Sequence, residues 1–244
     1  MYSDDDCAAL YDRLNPWDPD QWAGDAFYHE LVMAAGSVLD VGCGTGAMLH
    51  LARERGHRGR LVGVDPDPAP LRRAARRADV EWVAARADEL GLRGEFELAV
   101  MTGHAFQFLV TDEELRASLR AVRAALRPGG RFAFETRHPQ ARAWEGWHPA
   151  AVAEVIDAAG RELRSWYEVE SVLDGVVTFT GTLASAAGEV LRVDRTGLRF
   201  LAEPELDALL AEAGFTVEAR YGDWARGPVT GESTELVTVA RVGA

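Results

Sequence analysis

The stretch Val38-Leu39-Asp40-Val41-Gly42-Cys43-Gly44-Thr45-Gly46 decides the fold. Val38 to Val41 is a short, largely apolar run of the kind that forms a buried strand. Gly42, Gly44 and Gly46 then turn the chain, because a residue without a Cβ tolerates left-handed backbone and lets a ligand lie against the main chain. Beyond them Met48, Leu49 and Ala52 mark the apolar stripe of a helix, with Gly56 placed to end it. Strand, glycine turn and helix in this order form a loop suited to a nucleotide cofactor.

Four further segments fall downstream. Arg60-Leu61-Val62-Gly63-Val64-Asp65 reads as a second strand ending in an acid, followed by Pro66. A carboxylate at a strand tip can accept both hydrogen bonds of a ribose diol. Val80 to Ala85 reads as a third strand leading into Ala87-Asp88-Glu89-Leu90. Phe96 to Met101 reads as a fourth, with Thr102-Gly103-His104 as its loop. Leu126-Arg127-Pro128-Gly129-Gly130 stops a helix and turns into an apolar strand, Arg131 to Phe134.

The spacing Asp40-x-Gly42-x-Gly44-x-Gly46 differs from the Gly-x-Gly-x-x-Gly dinucleotide fingerprint. It resembles motif I of the class I S-adenosylmethionine-dependent methyltransferases, and Leu-x-Pro-Gly-Gly resembles a later signature of the same family. The resemblance covers residues 38–136 and is loose over 1–37 and 137–244. It implies S-adenosyl-L-methionine as cofactor and S-adenosyl-L-homocysteine as product. It implies contacts from Asp40, Gly42, Cys43, Gly44 and Gly46, a ribose contact from Asp65 beside Pro66, and an adenine contact from Asp88 beside Glu89. Thr102, Gly103 and His104 are then expected beside the methionine part. Glu97 stands where many relatives have Asp.

Composition narrows the acceptor. Against 26 Lys and Arg stand 39 Asp and Glu, a formal charge of −13, which disfavours a nucleic-acid partner. Arg72-Arg73 and Arg76-Arg77 read as a solvated helix face among alanines. No apolar run is long enough for a membrane span, and the acidic start Met1-Tyr2-Ser3-Asp4 is unlike a signal peptide. Two cysteines, one of them inside the glycine loop, fit a reducing cytoplasm and make no zinc site. The Ala- and Arg-rich composition fits a high-GC bacterial source. A small-molecule acceptor and a monomer or homodimer are expected, with no metal.

The alternation predicts one α/β domain with a parallel sheet and helices on both faces, plus a small antiparallel β insertion; the resemblance implies that the sheet is the Rossmann-like seven-stranded sheet of the methyltransferases. Strands are expected near 38–41, 60–64, 80–84, 97–101 and 130–136, and helices near 46–55, 67–78 and 112–126. The last helix carries the capping box Thr111-x-x-Glu114. Residues 1–36 predict two helices, 4–14 and 20–35; the resemblance implies that they act as a lid, with Tyr11 and Trp22 as candidate cofactor contacts. Residues 137–200 predict a substrate-capping insertion: a short helix at 149–159, then three antiparallel strands turning at Asp174-Gly175 and Ala187-Gly188. A helix from Glu203-Pro204 and an edge hairpin, 215–221 with 235–242, complete the chain.

Catalytic residues are less legible. Methyl transfer is an in-line displacement, so orientation matters most and a base is needed only for a protonated nucleophile. His104 and His138 follow strands four and five and are the candidate bases; His50 and His57 are expected to be exposed. Glu135 and Arg137 share the strand-five edge and are read as substrate contacts that pair with each other or with a polar acceptor. Trp144, Trp147, Trp166 and Tyr167 are candidates to wall the acceptor pocket, with Trp144 and Tyr167 foremost. Two alternatives stay open at this level: a cofactor-binding protein of the same fold that transfers no methyl group, and an NAD-dependent oxidoreductase.

Overall fold

The structure, a computed structural model, describes residues 2–243. Helices α1 (Asp4–Leu14) and α2 (Ala23–Ala34) precede an alternating series: β1 (Ser37–Val41), α3 (Ala47–Glu54), β2 (Arg60–Asp65), α4 (Pro68–Ala74), β3 (Glu81–Ala84), β4 (Phe96–Met101), α5 (Asp112–Ala125) and β5 (Leu126–Arg137). An antiparallel meander follows, β6 (Ala153–Ile156), β7 (Glu162–Leu173), β8 (Val176–Ser185) and β9 (Val190–Arg199). Helix α6 (Glu203–Glu212) and strands β10 (Phe215–Tyr221) and β11 (Glu235–Val242) end the chain. The main sheet runs β10-β11-β5-β4-β1-β2-β3, and the meander forms a second sheet of four strands.

β1 pairs in parallel with both β2 and β4, so the strand order reverses there. A crevice opens outside the carboxyl ends of two strands where their crossovers leave in opposite directions. β11 lies antiparallel between β5 and β10.

Successive side chains of β1 serve opposite faces of the sheet. Leu39 joins Phe96, Phe132, Phe134 and the buried stripe of α5 on one side. Val38 joins Leu98, Val100, α2 and α3 on the other. α5 forms where Thr111 and Glu114 cap each other's backbone N–H, and it buries Leu115, Leu119 and Val122. Gly46 starts α3 at φ 76°, and a Cβ there would stand 2.4 Å from the Trp82 ring. The third glycine is thus required both by its left-handed backbone and by helix–strand packing.

Several expectations are corrected. No helix forms at 149–159; Ala153–Ile156 is a strand instead, and Val155 pairs with Leu163 and is buried. Cross-strand pairing there outweighs the helix preference of the local alanines. The insertion therefore has four strands, not three. α4 ends at Ala74, short of 78. β5 begins at Leu126, and its pairing with β4 shifts register across the Pro-Gly-Gly turn. His57 is buried, with Nε2 2.7 Å from the Ala35 carbonyl, and His50 is half-buried against Ala74 and Trp82.

α1 is held on both sides by ion pairs. Asp5 meets Arg72 at 2.8 Å and Asp12 meets Arg73 at 2.8 Å on α4, while Asp4 meets Arg192 at 2.6 Å on the meander. Tyr2 and Leu10 also bury against Val155, Leu163 and Leu183 of the second sheet. Arg72 and Arg73 are therefore engaged by α1 rather than merely solvated. Among the described residues no helix is long and apolar enough to cross a membrane.

Candidate active site

A cavity of about 1170 Å³ lies at the carboxyl ends of β1, β2, β4 and β5, beneath α1, α2 and the meander. Its walls divide into a cofactor side, a polar centre and an aromatic chamber.

On the cofactor side Gly42 and Gly44 have φ of 79° and 54°. A Cβ on Gly42 would meet the Ala105 side chain at 2.9 Å, while one on Gly44 would meet no protein atom within 4 Å. The open ground above Gly44 is where a ligand can rest on bare backbone. Asp65 accepts the Gly44 N–H at 2.8 Å on one oxygen and the Asp67 N–H at 2.9 Å on the other. A carboxylate has about four acceptor positions, so these bonds fix its orientation and leave capacity for a diol. Asp40 is buried, and its Oδ1 has no hydrogen-bond partner. Burial, and then the nearby carboxylates of Asp65 and Glu135, push its pKa up to about 8. A buried acid left without a donor fits a cationic ligand group. The glycine cradle, Asp65 and Asp40 are thus suited to hold S-adenosylmethionine by backbone, ribose and positive charge. Burial also raises the Cys43 thiol, which makes it a packing group rather than a nucleophile.

At the centre stands His104, the N-cap of a short turn at 105–108, with φ 62°. A non-glycine residue in this region is strained unless its surroundings hold it. Glu135 does so, accepting the His104 N–H at 2.8 Å. Glu135 is buried, accepts a further hydrogen bond from the Tyr28 hydroxyl, and has its pKa raised chiefly by burial. The His104 ring meets Glu235 of β11, with Nε2 at 3.0 and 3.1 Å from the two carboxylate oxygens. A carboxylate on Nε2 favours the tautomer that carries its proton there, leaving Nδ1 as the acceptor nitrogen. From above, Tyr11 of α1 brings its hydroxyl to 3.5 Å from where a Gly103 Cβ would stand.

The far end is aromatic. Trp147 lies 4.8 Å from Phe179 and 6.3 Å from Tyr167, with Tyr167 and Phe179 edge-on at 5.5 Å between ring centres. Leu198 and Phe108 add apolar surface, and Arg137 reaches in from β5.

Of the sequence candidates, Tyr11, Trp22, Asp40, Gly42, Cys43, Gly44, Asp65, Pro66, Asp88, Thr102, Gly103, His104, Glu135, Arg137, Trp147 and Tyr167 line this one cavity. Four do not. Gly46 packs on Trp82, and Glu89 turns back to the Arg86 N–H. Trp144 lies 4.6 Å edge-on to Phe200. His138 is buried beyond the strand end, its Nδ1 accepting the Gln140 N–H at 3.1 Å, and so it is a turn-capping group with no access to the cavity. Glu135 and Arg137 do not pair with each other. Tyr28, Trp17, Phe179, Trp224 and Glu235 went unread. Tyr28 sits beside Phe27 on a predicted helix and was within reach of the pattern; Glu235 was not, because only sheet register brings it opposite Arg137.

Comparison with known proteins gives this site a setting. Residues 38–130 match the family described as Methyltransferase domain. An S-adenosylmethionine-dependent methyltransferase from Clostridium acetobutylicum superposes with a TM-score of 0.76 at 15% identity, covering 98% of each chain. CalS10 with bound S-adenosylmethionine, an amino pentose methyltransferase from Micromonospora echinaspora, superposes with a TM-score of 0.66 at 24% identity over 91% of this chain and 92% of that one. The fold is thus that of a Rossmann-like methyltransferase. The 2-phytyl-1,4-naphtoquinone methyltransferase of Thermosynechococcus vestitus is 30% identical over 229 residues, 88% of this chain and 89% of the relative. The chain belongs to the class I S-adenosylmethionine-dependent methyltransferase family, and S-adenosylmethionine is its cofactor.

Proposed function

We propose that the protein methylates an oxygen or nitrogen atom of a small organic acceptor held in the aromatic chamber, with His104 taking the acceptor's proton. The observation that carries this reading is the His104–Glu235 pair, set between the cofactor loops and the aromatic wall. When bound, S-adenosylmethionine supplies a sulfonium-activated methyl group. Asp40, Asp65, Asp88 and the Gly42–Gly44 backbone hold and orient it, joined by Thr102, Gly103 and Tyr11. Glu235 fixes the His104 tautomer and stabilises the imidazolium that forms on proton transfer. Glu135 and Tyr28 keep the strained loop in place, so they act as positioning residues. In this reading residues 1–36 form the lid and 137–200 the cap that keeps water from the transfer path.

Relatives named for a 2-phytyl-1,4-naphtoquinone and an amino pentose support a small-molecule acceptor, and the net negative charge disfavours a nucleic acid. The test is production of S-adenosylhomocysteine from S-adenosylmethionine across a panel of phenols, amines and amino sugars. His104→Asn should retain cofactor binding and lose turnover with any acceptor the native enzyme uses. Undiminished turnover in that variant would remove His104 from the chemistry.

A further inference from the structure

Two arginines line the cavity. Arg86 is engaged by Glu114 at 2.7 Å and Asp88 at 3.4 Å. Arg137 has no ion-pair partner among the described residues, although acids stand close by. Glu235 is its direct cross-strand neighbour, a position where opposite charges normally meet. Yet Glu235 turns to His104, and Glu135, two residues earlier on the same face of β5, is taken up by Tyr28 and the His104 N–H.

Arg137 is nonetheless held in place. Gln107 is fully buried and donates through Nε2 to the Arg199 carbonyl at 2.9 Å. Its Oε1 accepts both the Arg137 backbone N–H and one guanidinium nitrogen, each at 3.2 Å. On the other side the guanidinium carbon stands 5.5 Å from the centre of the Trp147 ring. A guanidinium presents five N–H donors in a rigid planar fork, and Gln107 occupies one edge of it. The remaining donors lie in a half-buried place where burial works against the cation. A fixed, stacked and uncompensated fork is matched by a bidentate oxyanion, and a neutral group would leave its charge unanswered.

We infer that Arg137 anchors an oxyanion of the acceptor, a carboxylate or a phosphate monoester, carried on a flat ring that lies against Trp147, Tyr167 and Phe179. The ring follows from the aromatic wall beside the fork, and the anion from the fork itself. The inference rests on reading this chamber as the acceptor site.

The experiment is calorimetry on the full chain saturated with S-adenosylhomocysteine, using 4-hydroxybenzoate, 4-hydroxyphenyl phosphate and the neutral 4-hydroxybenzamide as probes. At least one oxyanion probe should bind about tenfold or more tightly than the amide, the scale of a charge-assisted pair; the tighter of the two identifies the source of the oxyanion. Arg137→Met should abolish that preference, and Arg137→Lys should keep part of it, with S-adenosylhomocysteine affinity and melting temperature reporting that each variant is folded. If Arg137→Met does not fold, the native comparison with Arg137→Lys decides. Equal binding of amide and oxyanions, no binding of either oxyanion, or a preference that survives in a folded Arg137→Met would overturn the inference. Methyl transfer is scored separately. An oxyanion bound through Arg137 without turnover leaves the anchor standing and counts against the reaction. Turnover of neutral phenols indifferent to Arg137→Met supports the reaction and removes the anchor.

Discussion

The two ends of the cavity are built from different materials. At the cofactor end Asp40, the Gly42–Gly44 backbone and Asp65 stand on two neighbouring strand-end loops, close together in the chain. Their chemistry is acidic and main-chain. At the aromatic end, the proposed acceptor side, Trp147, Tyr167, Phe179 and Leu198 come from the meander and the loop before it, and Arg137 from β5. Their chemistry is aromatic with one guanidinium. Between them His104 is gripped from β5 by Glu135 and from β11 by Glu235. On the proposed reading, this difference lets one fold keep its cofactor while its acceptor varies. The cofactor wall is made where parallel strands end, which the sheet topology dictates. The aromatic wall, the proposed acceptor side, is made by an insertion that the sheet leaves free to change.

If the division is right, substitutions should separate cleanly. The largest effect is expected at the centre, where His104→Asn should lower kcat about 100-fold or more, the usual scale for a general base, with cofactor affinity nearly unchanged. Single-turnover kinetics at saturating cofactor measures it. Next, Asp65→Ala should weaken cofactor binding by about 1.5–3 kcal/mol, the worth of hydrogen bonds to a charged group, with little change in melting temperature. An unaltered dissociation constant would reduce Asp65 to a turn residue.

The pH dependence of the cofactor end offers a third division. Asp40, with its pKa pushed up to about 8, holds its proton in the folded, ligand-free protein where the unfolded chain has already lost it. Its contribution to ligand-free stability is therefore present below the ordinary carboxylate range and is lost as pH rises toward 8. A cationic ligand needs the carboxylate, so S-adenosylmethionine affinity should rise by up to about 100-fold as pH goes from about 6 to about 9, most of it below pH 8. Titration calorimetry in two buffers should register proton release, and Asp40→Asn should flatten the profile. A slope that persists in the variant would assign the proton elsewhere.

Smaller effects are expected at the proposed acceptor wall and lid. Trp147→Ala should raise acceptor KM about 3- to 10-fold, from aromatic contacts of about 0.5–1.5 kcal/mol, while cofactor affinity stays within about threefold. Loss of cofactor binding instead would mean that the chamber is part of the cofactor site. Asp12→Asn removes one tie between α1 and α4, a half-exposed pair worth about 1 kcal/mol or less. It should hasten cofactor release slightly, and added salt should erase the difference in stopped-flow traces.

Trp144 and Trp147 show where reading the sequence stops. Both sit in the same polar, aromatic segment and look alike, yet one packs on Phe200 and the other faces the cavity. A short-turn segment has no periodicity that assigns sides, so the choice falls to packing. His104 and His138 pose the same problem. Both follow a strand on the active edge, but His138 is spent on capping its own turn. The helix expected at 149–159 failed because its composition favoured one state while pairing with Leu163 favoured another.

The sequence by itself determined the parallel sheet, the glycine loop, the acid at each strand tip and the hairpin at the sheet edge. These depend on short-range rules: strand and helix period, the backbone freedom of glycine, and the stop imposed by proline. Tertiary structure alone decided that Glu235 meets His104, that Gln107 holds Arg137, and that Tyr28 steadies Glu135. Each joins residues far apart in the chain through strand register and helix docking. Those are set by how buried faces fit together, and no local pattern of residue types carries that information.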